Sequence, residues 1–162
     1  MVSGERLHLY CAFLKYALDG NGAPELKAAL NLGEARKMDK CTHDDDPAFT
    51  KIGDKQYHHF TVDVPAGKDS LTISLANVKG WTNFDLYLFA KYDGFAFSDD
   101  CQYEDITLGV DKTLKIAAPK AGKLYISVFC DTTVEAAETS YGTQYSGRVD
   151  VLNGVPYVIR VD

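Results

Sequence analysis

The stretch YHHFTVDV at residues 57–64 alternates apolar and polar side chains, and the same alternation returns three times further along the chain. The later stretches are LTISLANV at 71–78, FDLYLFAKY at 84–92 and KLYISVFCD at 123–131. Because successive side chains of a strand point to opposite faces, each stretch predicts a strand with one apolar face. The predicted inward residues are Phe60, Val62, Val64, Leu71, Ile73, Leu75, Phe84, Leu86, Leu88, Ala90, Leu124, Ile126, Val128 and Cys130. Strands of this kind separated by turns are typical of a β-sandwich.

The size and charge of the chain exclude two classes of protein. At 162 residues it is long enough for one domain, or for one domain with an appendage. A net charge of -6 and scattered Lys and Arg residues exclude a nucleic-acid-binding protein, because such a surface repels phosphates. The second excluded class is proteins with a membrane-spanning helix, because no apolar run approaches the roughly 18 residues that such a helix needs.

The first 40 residues follow a different pattern, which predicts a helical hairpin. Ser3 can cap a first helix, and Pro24 can open a second that ends near Gly33. The first helix is apolar on most of its circumference and therefore needs cover on more than one side. We predict that the chain is a piece of a longer protein. Its predicted parts are a helical tail of a preceding region at 1–40, an acidic linker at 41–52 and the β-sandwich at 53–162.

The four cysteines match no zinc-binding pattern, because no two of them lie within five residues of each other. Four cysteines in an acidic, Tyr-rich β-domain fit an oxidising compartment, but three disulfide connectivities are possible and the pairing stays open. The alternative is that some are free, buried thiols, which the position of Cys130 on an apolar strand face favours. The residues concerned are Cys11, Cys41, Cys101 and Cys130.

An ordered set of motifs points to a family. The motifs are GDKQYHHFTVDVPAG at 53–67, LTISL at 71–75, FDLYLF at 84–89, SDDCQYED at 98–105 and AGKLYISVF at 121–129. In this order they resemble the bacterial pre-peptidase C-terminal domain, to which the collagen-binding domains of clostridial collagenases are related. The resemblance covers about residues 50–162 and leaves the first 40 residues outside.

The resemblance implies a mainly β fold, a jelly-roll-like β-sandwich, to which we add the short N-terminal helical hairpin. It also implies a non-catalytic accessory domain of a secreted bacterial peptidase, acting in binding, targeting or maturation, outside the cell or in the periplasm. The implied partners are the catalytic domain of the parent peptidase and an extracellular matrix protein or polysaccharide. The alternative is a carbohydrate-binding module of an extracellular enzyme, because exposed Trp and Tyr on a sandwich can stack on sugars.

Calcium is the cofactor that the resemblance implies, since the collagen-binding relatives hold it at an acidic linker before the first strand. The corresponding residues here are Asp44, Asp45 and Asp46, with Asp54 in the following turn. Clustered carboxylate oxygens suit Ca²⁺, which takes six to eight oxygen ligands. Gln56 departs from the relatives, which have an Asp at this position, and its neutral amide lowers the expected affinity. The alternative is a solvated acidic linker without a metal.

A second candidate site is an aromatic face of the sheet. Tyr87 and Phe89 point away from the predicted core in one strand, and Tyr125 and Phe129 do so in another. If the two strands are neighbours, the four side chains form one patch, which either binds a polymer or protein or is covered by the helical hairpin. Trp81 is a separate candidate for ligand stacking, or else a lid on the core.

Intrinsic catalysis is not expected. Cys11 with His8 or His43 has the residue types of a thiol protease, but no oxyanion motif accompanies them, and the G-x-S-x-G elbow of a serine hydrolase is absent. His58 and His59 point to opposite faces of one strand and therefore cannot hold a metal together. A glycosidase would use paired carboxylates, but acidic loops are common on a negative protein. The nearest examples are Asp99, Asp100, Glu104 and Asp105.

Overall fold

The computed structural model describes residues 24–40, 50–78, 80 and 83–162. The strands in these parts of the chain are β1 (Leu26–Leu30), β2 (Ala35–Met38), β3 (Tyr57–Val64), β4 (Ser70–Asn77), β5 (Leu86–Tyr92), β6 (Tyr103–Asp105), β7 (Lys112–Ala117), β8 (Gly122–Cys130), β9 (Val134–Thr139), β10 (Gly142–Gly147) and β11 (Tyr157–Val161). A short 3-10 helix, Val149–Asn153, precedes β11. In the described parts of the chain, no helix is long and apolar enough to cross a membrane.

The strands form two sheets and a separate hairpin. The first sheet has five strands in the order β1-β3-β8-β5-β6, and the second has four in the order β2-β11-β4-β7. β1 runs parallel to β3, whereas the other pairs are antiparallel. Among the described strands, β9 and β10 pair only with each other, and they form a hairpin whose residues are mostly exposed. The predicted mainly β fold is confirmed, while its jelly-roll connectivity stays a prediction.

One apolar core lies between the two sheets. Every residue that the alternation predicts to point inward is buried in this core. Ile126 of β8 and Ile73 of β4, for example, are both 0% exposed. The apolar faces of the two sheets therefore pack on each other, and a one-residue shift of any of these strands would expose its apolar face.

The second helix of the predicted hairpin is wrong. Residues Leu26–Leu30 form the strand β1, which extends the first sheet alongside β3. Gly33, which we interpreted as a helix end, lies in the turn that leads from β1 to β2 in the other sheet, and its N–H donates to the Val161 carbonyl at 2.7 Å. The apolar residues of LKAAL fit a strand as well as a helix, and the open edge of β3 decides between them. The predicted first helix lies outside the described residues.

A histidine–tyrosine pair links the two sheets inside the core. His58 Nδ1 of β3 lies 2.7 Å from the hydroxyl of Tyr157 in β11, and both side chains are buried. Burial raises the pKa of Tyr157 well above its usual value. His59, the next residue, points to the opposite face, where its Nδ1 lies 2.7 Å from Ser127 Oγ. The prediction that the two histidines cannot share a metal is therefore consistent with the structure.

Candidate functional site

The register of the three central strands gathers aromatic side chains on the outer face of the first sheet. Tyr87 of β5 lies opposite Phe129 of β8, and their ring centroids are 6.4 Å apart. Phe129 lies opposite Tyr57 of β3, with centroids 4.5 Å apart. Phe89 meets Tyr87 edge to face at 6.5 Å. We call Tyr87, Phe89 and Phe129 the aromatic patch, because their rings form one contiguous group in edge-to-face and tilted contacts.

The members of the aromatic patch differ in exposure. Phe89 is buried, with 1% of its surface exposed, and forms the base of the patch. Tyr87 and Phe129 are partly exposed above it. Tyr125, the fourth predicted residue, lies opposite Lys91 and contacts Phe95 at 5.4 Å. The structure thus joins three of the predicted residues through Tyr87, which contacts both phenylalanines, and places Tyr125 beside a different ring. Trp81 lies outside the described residues.

Residues 94–101, which we call the covering segment, lie across the remainder of this face. Phe97 contacts Tyr57 at 5.1 Å and His59 at 5.3 Å, and Phe95 contacts His59 at 4.9 Å. The backbone groups of Phe97 and Asp100 exchange two hydrogen bonds of 3.0 Å, which hold the segment in shape. The Tyr57 hydroxyl donates to Ser98 Oγ at 3.2 Å. The cover of the outer face therefore comes from this loop.

Our expectation that a helical hairpin of residues 5–33 covers the face is wrong for its second half, because Leu26–Leu30 lie at the sheet edge. Residues 1–23 are outside the described part of the chain. A sequence signal for the true cover exists: Phe95 and Phe97 alternate with Ala96 directly after the Asp93-Gly94 turn. A run of three residues is too short for alternation alone to assign it to a surface.

Carboxylates surround the aromatic patch. Glu104 lies opposite Phe89 in the register of β5 and β6 and is exposed. Asp131 follows β8 two residues after Phe129 and is also exposed. Hydrogen bonding with Asp131, together with burial and the charge of Asp85, raises the pKa of the Tyr87 hydroxyl. The thiol of Cys101 donates to Glu104 Oε2 at 3.9 Å.

The environment of Cys101 shows that its thiol is not activated. Burial, followed by the negative charges of Glu104, Asp100 and Asp99, raises its pKa, and a thiol must lose its proton to act as a nucleophile. Cys130 is buried, and its burial raises the pKa of the thiol to about 12. Both side chains are free thiols, whereas Cys11 and Cys41 lie outside the described residues.

The predicted calcium ligands are only partly placed. Asp44, Asp45 and Asp46 lie outside the described residues. Asp54 is described: its Oδ1 is buried without a hydrogen-bond partner, and its Oδ2 accepts from the Val134 N–H at 3.5 Å. Gln56 is already engaged, since its Oε1 accepts from the Gly53 N–H at 2.8 Å. No group of three or more His, Cys, Asp or Glu within the described ranges could hold a metal.

Two of the four predicted carboxylates of the 98–105 loop serve structural contacts. Asp100 forms an ion pair with Lys91, with Nζ 2.7 Å from Oδ2. Asp105 Oδ1 accepts from the Thr107 backbone N–H at 3.1 Å and from its hydroxyl at 2.6 Å. These bonds engage Asp100 and Asp105 in contacts within the domain.

Comparison with known proteins agrees with the motifs. Residues 56–129 match the family described as the bacterial pre-peptidase C-terminal domain. Among solved structures, the chain is similar to the 1.0 Å crystal structure of a pre-peptidase C-terminal domain of a collagenase from Bacillus anthracis, at 15% identity and a TM-score of 0.43. That alignment covers 86% of this chain and 98% of the other. No curated protein matches the chain. The family resemblance predicted from the sequence is confirmed.

Proposed function

We propose that the chain is a non-catalytic accessory domain of a secreted bacterial peptidase that binds its target through the aromatic patch, because residues 56–129 match the bacterial pre-peptidase C-terminal domain family. The observation that carries the binding role is the partial exposure of Tyr87 and Phe129 above the buried Phe89. Exposed aromatic groups on a rigid sheet offer large apolar contact area at a small cost in conformational entropy.

The position of the patch supports this role. β8 and β5 are interior strands of the five-stranded sheet, and Phe129 of β8 is paired on both sides, with Tyr57 and with Tyr87. The covering segment packs on the neighbouring rings of Tyr57 and His59 and leaves Tyr87 and Phe129 of the aromatic patch partly exposed, whereas Phe89 is buried in the same cluster as Phe97. A site held on such a framework needs little rearrangement to bind a partner. Tyr125 and Trp81 remain secondary candidates for the same target.

Replacing the exposed rings is expected to abolish most of the binding. Tyr87→Ala and Phe129→Ala should each weaken retention on the target about tenfold, because aromatic residues at the centre of an interface commonly contribute more than 1 kcal/mol. The measurement is a pull-down on insoluble collagen, as a matrix protein, and on insoluble cellulose, as a polysaccharide. Tyr141→Ala is the matched control, since Tyr141 is 96% exposed at the tip of the β9–β10 hairpin.

The pull-down also separates the two candidate functions. Retention on collagen that falls in the patch variants and not in Tyr141→Ala supports the peptidase accessory domain. Selective retention on cellulose favours a carbohydrate-binding module, in which the same rings stack on sugars. Retention that Tyr87→Ala and Phe129→Ala leave unchanged would contradict the binding role of the patch.

We further propose that Asp54, together with Asp44, Asp45 and Asp46, binds Ca²⁺. The supporting observation is the buried Asp54 Oδ1 without a hydrogen-bond partner, because a buried carboxylate oxygen ordinarily has a partner. Bound calcium would supply positive charge to this turn and join it to the acidic linker. The turn also touches the start of β9, through Asp54 Oδ2 and the Val134 N–H.

Calcium is expected to stabilise the fold. At a concentration about a hundred times the dissociation constant, a ligand of the folded state adds about 2.7 kcal/mol, which corresponds to a rise in Tm of roughly 5–10 °C for a domain of this size. Thermal melting in calcium and in chelator measures the shift, and Asp54→Asn should reduce it. An identical Tm in both solutions at millimolar calcium would refute a structural calcium site.

A further inference from the structure

We propose that the aromatic patch binds positively charged side chains, lysine or arginine, carried by an extended peptide segment of the target protein. This inference rests on the proposed function and adds the chemistry of the ligand. It is drawn from the carboxylates that flank the patch, Asp131 and Glu104, and from their position relative to the exposed rings.

The two carboxylates lie on the same face as the patch, at its opposite ends. Glu104 is directly opposite Phe89, and residues directly opposite each other in antiparallel strands share a face. Asp131 comes two residues after Phe129, which keeps it on the side of Phe129, and its backbone N–H donates to the Asp85 carbonyl at 2.9 Å. A segment that crosses the patch therefore meets a negative charge at both ends.

No cation among the described residues forms an ion pair with either carboxylate. Of the ion pairs among the described residues, one joins Lys91 to Asp100 and the other joins Arg160 to Asp162. Lys91, the cation of the patch strand, is thus already paired. Asp131 and Glu104 are both exposed and take part in neither pair. With a net charge of -6, the whole chain also attracts cations at long range.

The rings favour the same ligand. A lysine ammonium or an arginine guanidinium within about 6 Å of a Tyr or Phe ring is attracted by the ring, and the attraction adds to that of a nearby carboxylate. The hydrogen bond that raises the pKa of Tyr87 places the Asp131 carboxylate beside the Tyr87 hydroxyl. A sugar can stack on the rings and donate its hydroxyls to the carboxylates, but it brings no positive charge, so the two carboxylates favour a basic peptide.

The edge of the sheet gives such a peptide access. β6, which carries Glu104, is the last strand of the first sheet and has only three residues. Glu104 is exposed on this strand, so an extended segment that lies on the outer face can contact Glu104 and Tyr87 together.

The test is fluorescence anisotropy with two labelled peptides, GSRGSRGSRGS and its uncharged counterpart GSQGSQGSQGS. The wild-type chain is expected to bind the arginine peptide saturably and the glutamine peptide at least about tenfold more weakly. Asp131→Asn and Glu104→Gln should each weaken binding of the arginine peptide about fivefold. Tyr87→Leu should do so as well, because it keeps an apolar side chain and removes the ring.

Asp69→Asn is the matched control, since it removes one exposed charge in the turn before β4, at the other end of the sandwich. An equal loss of affinity for the arginine peptide in Asp69→Asn and Asp131→Asn would show that net charge alone binds the peptide. Equal affinity of the wild-type chain for both peptides would show that charge is irrelevant. Either result overturns the inference. If the inference fails in this way but Tyr87→Ala still abolishes retention on collagen, the proposed function survives. If Tyr87→Ala leaves retention on collagen unchanged, both the inference and the proposed binding role are refuted.

Discussion

Acidification from about pH 6 to about pH 4.5 is expected to lower the free energy of unfolding by about 2 kcal/mol through His58 alone. This imidazole lies in the core, 4% exposed, with its Nδ1 at 2.7 Å from the Tyr157 hydroxyl. Burial, followed by the positive charge of Lys27 and the neighbouring His59, lowers its pKa from 6.5 to about 3. The folded protein therefore keeps His58 uncharged at a pH where the unfolded chain protonates it.

The direction of the effect follows from this difference in proton binding. Above pH 6.5 His58 is neutral in both states, and its contribution to stability is fully present. Between pH 6.5 and about pH 3 only the unfolded state binds the proton, so stability falls as the pH falls. Each pH unit well inside this window costs about 1.4 kcal/mol.

Chemical denaturation at a series of pH values measures how the free energy of unfolding changes with pH. Comparison with His58→Gln isolates the contribution of His58. Glutamine can still hydrogen-bond the Tyr157 hydroxyl but cannot take up a proton in this range. All other titratable side chains are the same in both proteins, so the difference between the two curves belongs to His58. Parallel curves for wild type and His58→Gln would show that the side chain is not held neutral in the core.

The inward residues could be predicted because alternation is a property of each strand by itself. Leu71, Ile73 and Leu75 reach the core whatever their neighbours are, since a strand with one apolar face is stable only when that face is buried. The opposite orientations of His58 and His59 follow from the same two-residue period. The face of a strand to which each side chain points can therefore be predicted from the sequence.

The wrong predictions concern the pairing and packing of elements that are distant in the sequence. Leu26–Leu30 carry no signal that separates a helix from a strand, and the open edge of β3 settles the matter through hydrogen bonds between residues some thirty positions apart. The position of the covering segment is hidden in the sequence for the same reason. Phe95 and Phe97 look like an isolated apolar pair, and only the fold places the outward rings of β3 and β8 beneath them. Such choices depend on tertiary contacts.

The aromatic patch could be predicted from the sequence only in part. The outward direction of Tyr87 and Phe129 follows from alternation, but their contact depends on β5 and β8 being neighbours. Glu104 and Asp131 could not be assigned to the patch from sequence, because Glu104 reaches Phe89 through the pairing of β6. The charge of the candidate site is therefore a product of the register.

Removal of the Phe97 ring is expected to destabilise the protein by about 3 kcal/mol, since Phe→Ala substitutions in a packed cluster cost about 3–5 kcal/mol. The side chain is 5% exposed and packs on Tyr57 and His59. The loop backbone has its own hydrogen bonds between Phe97 and Asp100, so that Phe97→Ala tests the ring and not the loop conformation. Urea denaturation of Phe97→Ala measures the loss.

Phe95→Ala is the matched control, because Phe95 belongs to the same segment but is partly exposed, and it should cost about 1 kcal/mol. A loss of less than 1 kcal/mol in Phe97→Ala would mean that the segment does not pack on the sheet in solution. In that case Tyr57 and His59 would join Tyr87 and Phe129 on one exposed face, and the binding surface would be larger than the aromatic patch. A loss near 3 kcal/mol instead identifies the covering segment as a fixed boundary of the patch, because a segment held that firmly opens too rarely to admit a ligand beneath it.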